Sequence, residues 1–255
     1  MSAYEQEVEY NLSESGVHPM TLQQLLDIDQ SSMEDLLETE LNYPHANGIP
    51  VLRERIAAMY EGAGPENVLV TVGAIEANYN SMRTILKPGD EVVIMLPNYM
   101  QVWGVAKNHG FRIKTFPLVE ENNWAPDLEK LEQVVTKETK LIALCNPNNP
   151  TGYILSETEM DSIVRTASRV GAWILADEVY AGAEQFTDIR TPSFYGRYDK
   201  VVAVGSMSKA YGLPGLRTGW LVAPPTLADQ IWARHEYTTI SVSYTHLTLP
   251  TTPYV

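Results

Sequence analysis

The chain has 255 residues, 44% hydrophobic and 20% charged, which supplies enough apolar material for a core and excludes wholesale disorder. Its formal net charge is −14 and no Lys or Arg precedes Arg53, which argues against electrostatic binding to nucleic acid or an anionic membrane. The single cysteine, Cys145, excludes an intrachain disulfide and a Cys-rich zinc site; no long apolar run or signal-peptide pattern is present, so a cytoplasmic protein is expected.

Residues 1–48 are polar and acidic, with one amphipathic stretch over 21–41. From residue 50 short apolar runs alternate with helical periods. Helices are expected at 50–60, 75–86, 127–135 and 156–170. The last opens on Ser156 with Glu159 three positions on, a capping box. Strands are expected at 68–71 (VLVT), 91–95 (EVVIM), 112–116 (RIKTF), 141–145 (LIALC), 173–176 (WILA), 201–205 (VVAVG) and 219–223 (GWLVA). Most are apolar throughout, as strands covered on both faces should be. The alternation predicts a three-layer α/β/α domain around a seven-stranded, mainly parallel sheet. The short gap between Lys209 and the last strand allows that strand to run antiparallel. Near residue 240 the composition changes abruptly. SVSYTHLTLPTTPYV (241–255) shows no helical period and reads either as a flexible terminus or as read-through of a cloning or sequencing adapter.

Ligands of open α/β sheets bind at the carboxyl ends of the strands. Five strands deliver distinctive groups there: Gly73-Ala74-Ile75-Glu76, Pro97-Asn98-Tyr99, the NPNNPTG run at 146–152, Asp177-Glu178-Val179-Tyr180, and Ser206-Met207-Ser208-Lys209 followed by Arg217. A Gly turn opening a helix offers N–H groups to an anion. Ser206 and Arg217 add a hydroxyl and a guanidinium suited to phosphate. Tyr99 offers a ring face for stacking, and Asp177 a partner for a protonated ring nitrogen. Asn149 and Tyr180 can donate to a phenolate oxygen, and Lys209 can form an imine with an aldehyde. A phosphorylated, flat, aldehyde-bearing pyridine meets all these demands, and pyridoxal 5'-phosphate is that molecule. Blander readings stand beside these: Asp177 as a helix cap, Asn149 as turn chemistry, Tyr99 as packing, Gly73-Ala74 as a tight turn, Tyr43 as an ordinary loop residue.

NPNNPTG, DEVY and SMSKAYGLPGLRTG, in that order, resemble the class I/II aminotransferases, pyridoxal-phosphate enzymes of fold type I, over roughly residues 10–238. The resemblance implies that Lys209 carries the cofactor as a Schiff base and moves the substrate proton. It implies that Asp177 keeps the ring nitrogen protonated, that Asn149 and Tyr180 bond the ring oxygen, and that Tyr99 stacks on the ring. Gly73, Ala74, Ile75, Ser206 and Arg217 would hold the phosphate, with Ser208 in the same cofactor-binding set. Many members carry a hydroxyl residue where Ala74 or Ile75 stands, so backbone groups would do that work here. Tyr43, in LNYPHANG, would reach the phosphate of a neighbouring subunit, which implies a homodimer.

The implied activity is amino transfer between an amino acid and a 2-oxo acid. The same residues serve lyases, synthases and cyclases, and an inactive cofactor-binding fragment is a third reading. The expected organisation is an N-terminal small-domain arm (1–48), a cofactor-binding large domain (49–238) and a tail outside the family pattern (239–255). A C-terminal small domain, with the Arg that grips a substrate carboxylate, is expected to be missing; the 255 residues are then expected to form an imine but to turn over poorly. The G-x-G-x-x-G turn of dinucleotide-binding domains is not found after the first strand, nor is a Walker lysine motif present.

Overall fold

An eight-stranded sheet organises the structure, a computed structural model that describes residues 15–29, 32–38 and 43–239. Its strands are β1 (Val68–Val72), β2 (Glu91–Leu96), β3 (Arg112–Val119), β4 (Ala125–Pro126), β5 (Thr139–Cys145), β6 (Trp173–Asp177), β7 (Val201–Ser206) and β8 (Thr218–Val222). The spatial order is β1-β8-β7-β6-β5-β2-β3-β4. All seven expected strands are present. The eighth, β4, is a two-residue pairing against β3, too short to leave a periodic signal in the sequence.

The β2–β3, β2–β5, β5–β6 and β6–β7 pairs are parallel, and β8 runs antiparallel to both β7 and β1. The antiparallel option for the last strand is therefore the one taken. As a result β1, β2, β5, β6 and β7 all point the same way, and β8 begins at the rim where they end.

Alternate residues of each strand face opposite layers. Val92, Ile94, Leu141, Ala143, Leu175, Val202, Val204 and Leu221 pack under α4 (Gly73–Ile85), α5 (Gln101–Asn108) and α8 (Pro225–His235). Val93, Met95, Ile142, Leu144, Ile174 and Ala176 pack under α6 (Leu128–Val134) and α7 (Glu157–Val170). A third cluster joins Val68, Val70, Trp220 and Val222 to Leu52 and Ile56 of α3 (Pro50–Ala57) and to Leu25 of α1 (Leu22–Asp29). The stretch expected to be amphipathic over 21–41 contains α1 and the short α2 (Met33–Leu37). The capping box forms: Ser156 Oγ accepts the Glu159 N–H, and Glu159 Oε2 accepts the Ser156 N–H at 2.7 Å. Residues 1–14 and 240–255, including the compositional break, lie outside the described residues.

Candidate active site

β1 runs straight into α4 through Gly73, whose φ of +73° lies in the left-handed region that favours glycine. The Thr71 hydroxyl donates to the Gly73 carbonyl at 3.0 Å, and the Val72 N–H donates to Glu76 at 2.7 Å. These bonds fix the turn and leave the first-turn N–H groups of Ala74 and Ile75 without intrahelical partners. Arg217 braces this point. Its guanidinium donates to the Pro214 carbonyl at 2.9 Å, and another of its nitrogens lies only 2.3 Å from where a Gly73 Cβ would stand. Ser206, at the end of β7, donates to the Thr218 carbonyl at 3.0 Å and accepts the Ser208 N–H at 3.1 Å, with the Ser208 hydroxyl 2.9 Å away. A guanidinium, two hydroxyls and a helix N-terminus thus share one corner, and their chemistry fits a phosphate.

The register places the other end of the site. Cys145 pairs with Asp177 and Asp177 with Val204, so the NPNNPTG turn, the carboxylate and the end of β7 lie side by side. Asp177 is buried, which raises its carboxyl; Asn78, donating at 2.8 Å, and the Val179 N–H at 3.3 Å oppose that rise without cancelling it. Lys209 Nζ lies 5.8 Å from the centre of the Tyr180 ring. Burial raises the Tyr180 phenol, so it keeps its proton at neutral pH, and the nearby Asp177 carboxylate raises it further. Its oxygen is 2.6 Å from Ser15 Oγ.

In the 146–152 turn, Asn146 accepts the Leu155 N–H, while Asn148 accepts Thr151 and donates to Pro97. Asn149 takes part in none of these bonds. Tyr99 is 40% exposed at the rim. Ile75 is exposed on the first turn of α4, and Tyr43 is exposed on the surface. The structure therefore gathers Gly73, Ala74, Ser206, Ser208 and Arg217 at one end and Asp177, Tyr180, Lys209 and Tyr99 at the other. Glu178 points elsewhere: it accepts the Phe194 N–H and the Ser193 hydroxyl. Cys145 is a buried thiol donating to the Pro147 carbonyl.

Three contributors were not anticipated. Asn78 and Gln101 support the carboxylate, and Ser15 reaches Tyr180 from the N-terminal arm. The sequence did carry one signal: Asn78 sits beside Ala77 on the face of α4 that packs on the sheet, where a polar residue needs a reason.

Comparison with known proteins points to one family. Residues 13–247 match the family model of aminotransferases class I and II. The chain is 32% identical over 243 residues to capreomycidine synthase of Streptomyces vinaceus, covering 91% of this chain and 60% of that protein. It is 30% identical over 212 residues to an arginine–pyruvate transaminase of Pseudomonas aeruginosa, covering 80% and 53% respectively. A crystal structure of a pyridoxal-phosphate-dependent aminotransferase from Streptococcus suis superposes with a TM-score of 0.83 at 38% identity, over 89% of this chain and 62% of that one. Thermus thermophilus aspartate aminotransferase shares the fold, with a TM-score of 0.84 at 23% identity. The chain thus spans a little over half the length of the curated relatives it matches.

Proposed function

We propose a function from one premise: the chain belongs to the aminotransferase class I and II family. On that premise residues 49–238 are the domain that binds pyridoxal 5'-phosphate, and residues 1–48 belong to the small-domain segment that precedes it. The activity is transfer of an amino group between an amino acid and a 2-oxo acid. The observation that carries the reading is the pairing, on one rim, of an anion corner with a buried carboxylate and a lysine. Gly73 lies against the Arg217 guanidinium at one end, and Asp177 and Lys209 lie at the other.

When bound, pyridoxal phosphate supplies an aldehyde that condenses with amines and a ring that withdraws electrons from the substrate Cα. Every other task falls to the chain. The N–H groups of Ala74 and Ile75, the Ser206 and Ser208 hydroxyls and Arg217 hold the phosphate. Lys209 Nζ supplies the anchoring amine and, once freed, moves the proton at the substrate Cα. Asp177 holds the proton at the ring nitrogen. Tyr180, kept neutral by burial, donates with Asn149 to the ring oxygen, and Tyr99 covers a ring face. Tyr43 serves the phosphate of a second subunit in a homodimer.

The test is direct. Pyridoxal phosphate added to the purified chain gives a visible absorption band that resists dialysis, and Lys209→Ala abolishes it. A band that survives the substitution defeats the reading. A second reading, a synthase or cyclase, is favoured by the 32% identity to capreomycidine synthase over nearly the whole chain. Single-turnover reaction with an amino acid separates the two. Amino transfer releases the matching 2-oxo acid and leaves the nitrogen on the cofactor, whereas elimination or cyclisation returns the cofactor unchanged.

A further inference from the structure

We propose that Asn78, itself held by Gln101, is a positioning residue that turns and holds the Asp177 carboxylate. The inference rests on the cofactor reading above, which gives Asp177 its task, but its geometry stands independently. Asp177 is 6% exposed and Asn78 is 1% exposed. The carboxylate is met by two N–H groups: the Val179 amide at Oδ1, from its own turn, and Asn78 Nδ2 at Oδ2, from α4.

The direction of the Asn78 amide is forced. Its Nδ2 also lies 3.3 Å from Gln101 Oε1. Gln101 in turn commits its own Nε2 to the Ile75 carbonyl in the first turn of α4, so its oxygen is what remains to face Asn78. With acceptors on both sides, Asn78 presents its nitrogen. A flipped amide would set its oxygen against a carboxylate and a carbonyl. The cost is visible, because Asn78 Oδ1 is buried and has no hydrogen-bond partner. The result is a relay of two side chains, Gln101 and Asn78, from the anion corner at Ile75 to the carboxylate at the end of β6.

The surroundings explain why a neutral donor is needed. The ionisable neighbours that interact with Asp177 are Cys145 on β5, and Glu178 and Tyr180 following it in the chain. None of them is a cation, and what opposes burial at Asp177 is N–H donation from Asn78 and Val179. Burial works against the charge. N–H donation from Asn78 and Val179 is what favours the ionised form.

The experiment reads Asp177 in the chain without cofactor, by 13C NMR of aspartate-labelled carboxyls across a pH titration. Asn78→Leu keeps the branched shape in a somewhat larger side chain and removes the donor, and Asn78→Ser retains a donor in a smaller side chain. The expected result is an Asp177 midpoint raised by about one pH unit or more in Asn78→Leu, a roughly tenfold change in proton affinity, with a smaller rise in Asn78→Ser. Gln101→Leu, which frees the amide to turn, raises it by less than Asn78→Leu. If Asn78→Leu does not fold, the Asn78→Ser and Gln101→Leu shifts decide the question. Midpoints that coincide with the parent's overturn the assignment, whatever the cofactor does. A parent chain that binds no pyridoxal phosphate overturns the proposed function, even where the midpoint moves as expected.

Discussion

Gly219 is where two backbones meet. In the sheet it pairs with Thr71 on one side and Ser206 on the other. A Cβ placed there would come within 2.2 Å of the Gly73 carbonyl carbon and 2.3 Å of the Ala74 nitrogen. These are backbone atoms of the turn that opens α4, so no side-chain rotation relieves the clash. Gly219→Ala must push β8 away from the start of α4 and spread the anion corner. We expect a loss of about 1–3 kcal/mol in stability and a roughly tenfold or larger weakening of pyridoxal phosphate binding, about 1.4 kcal/mol. Gly215→Ala, which meets open space, serves as the control and changes neither. A chemical-denaturation curve and a spectral titration check both. Legibility at this scale follows from what each residue depends on. Asp177 and Ser206 were readable because they end buried strands, and Lys209 because it follows β7 by three positions, so local order alone carries them to the rim. Gly219 and Asn78 owe their importance to segments about 145 and 100 positions away, brought together by the insertion of β8 beside β1 and by the packing of α4 over β6.

Among the elements, the longer strands were the most legible because most of them are continuous Val/Ile/Leu-rich runs bounded by turn residues. Two helices were missed for identifiable reasons. α5 has Gly104 in its middle, no side-chain cap, and only Val102 and Ala106 fully buried, so its apolar face is narrow. α8 opens on Pro225 without a side-chain cap, and only Ala223 and Pro224 separate it from the apolar run of β8. By contrast α7 announced itself, because both halves of its N-terminal box are written in the sequence. Ser156 Oγ and the Glu159 carboxylate satisfy each other's backbone N–H groups, and Gly171 closes the helix in the left-handed region at φ +72°. Ser156→Ala should therefore cost about 1 kcal/mol. Because α7 packs on the face opposite α4, the spectrum of bound cofactor should stay as in the parent. A stability loss accompanied by an altered spectrum would show that the two faces of the sheet are not independent in this way.

For the whole molecule, buried carboxylates make folding depend on pH in two opposed ways. Glu76, at the start of α4, is partly buried, which alone would raise it; the His235 ring, the Val72 N–H and the Thr239 hydroxyl outweigh burial and hold it down to about 2. His235 lies 3.2 Å from it and also bonds the Ala46 carbonyl at 3.1 Å, so this contact ties α8, α4 and the 43–48 loop together. The stability it provides is complete above its ordinary value of 4.5 and is lost as pH falls toward about 2. Glu178 acts the other way. Burial pushes its carboxyl up to about 7, against the bonds from the Phe194 N–H and the Ser193 hydroxyl. Between 4.5 and about 7 the unfolded chain has released this proton while the folded chain still holds it. Stability from Glu178 is therefore greatest below 4.5 and declines as pH rises through about 7. Asp177, also raised by burial, adds a decline of the same sign. The melting temperature should thus peak on the acidic side of neutrality and fall toward pH 8. For Glu178 alone the decline amounts to roughly 3 kcal/mol, on the order of 10 °C for a domain of this size. Glu178→Gln keeps an oxygen for the Phe194 and Ser193 donors and removes the titrating proton. Its melting temperature should vary much less between pH 5 and 8 than the parent's. A variant with the parent's full pH slope would assign the decline to other groups and leave Glu178 as a simple anchor for the 193–195 turn.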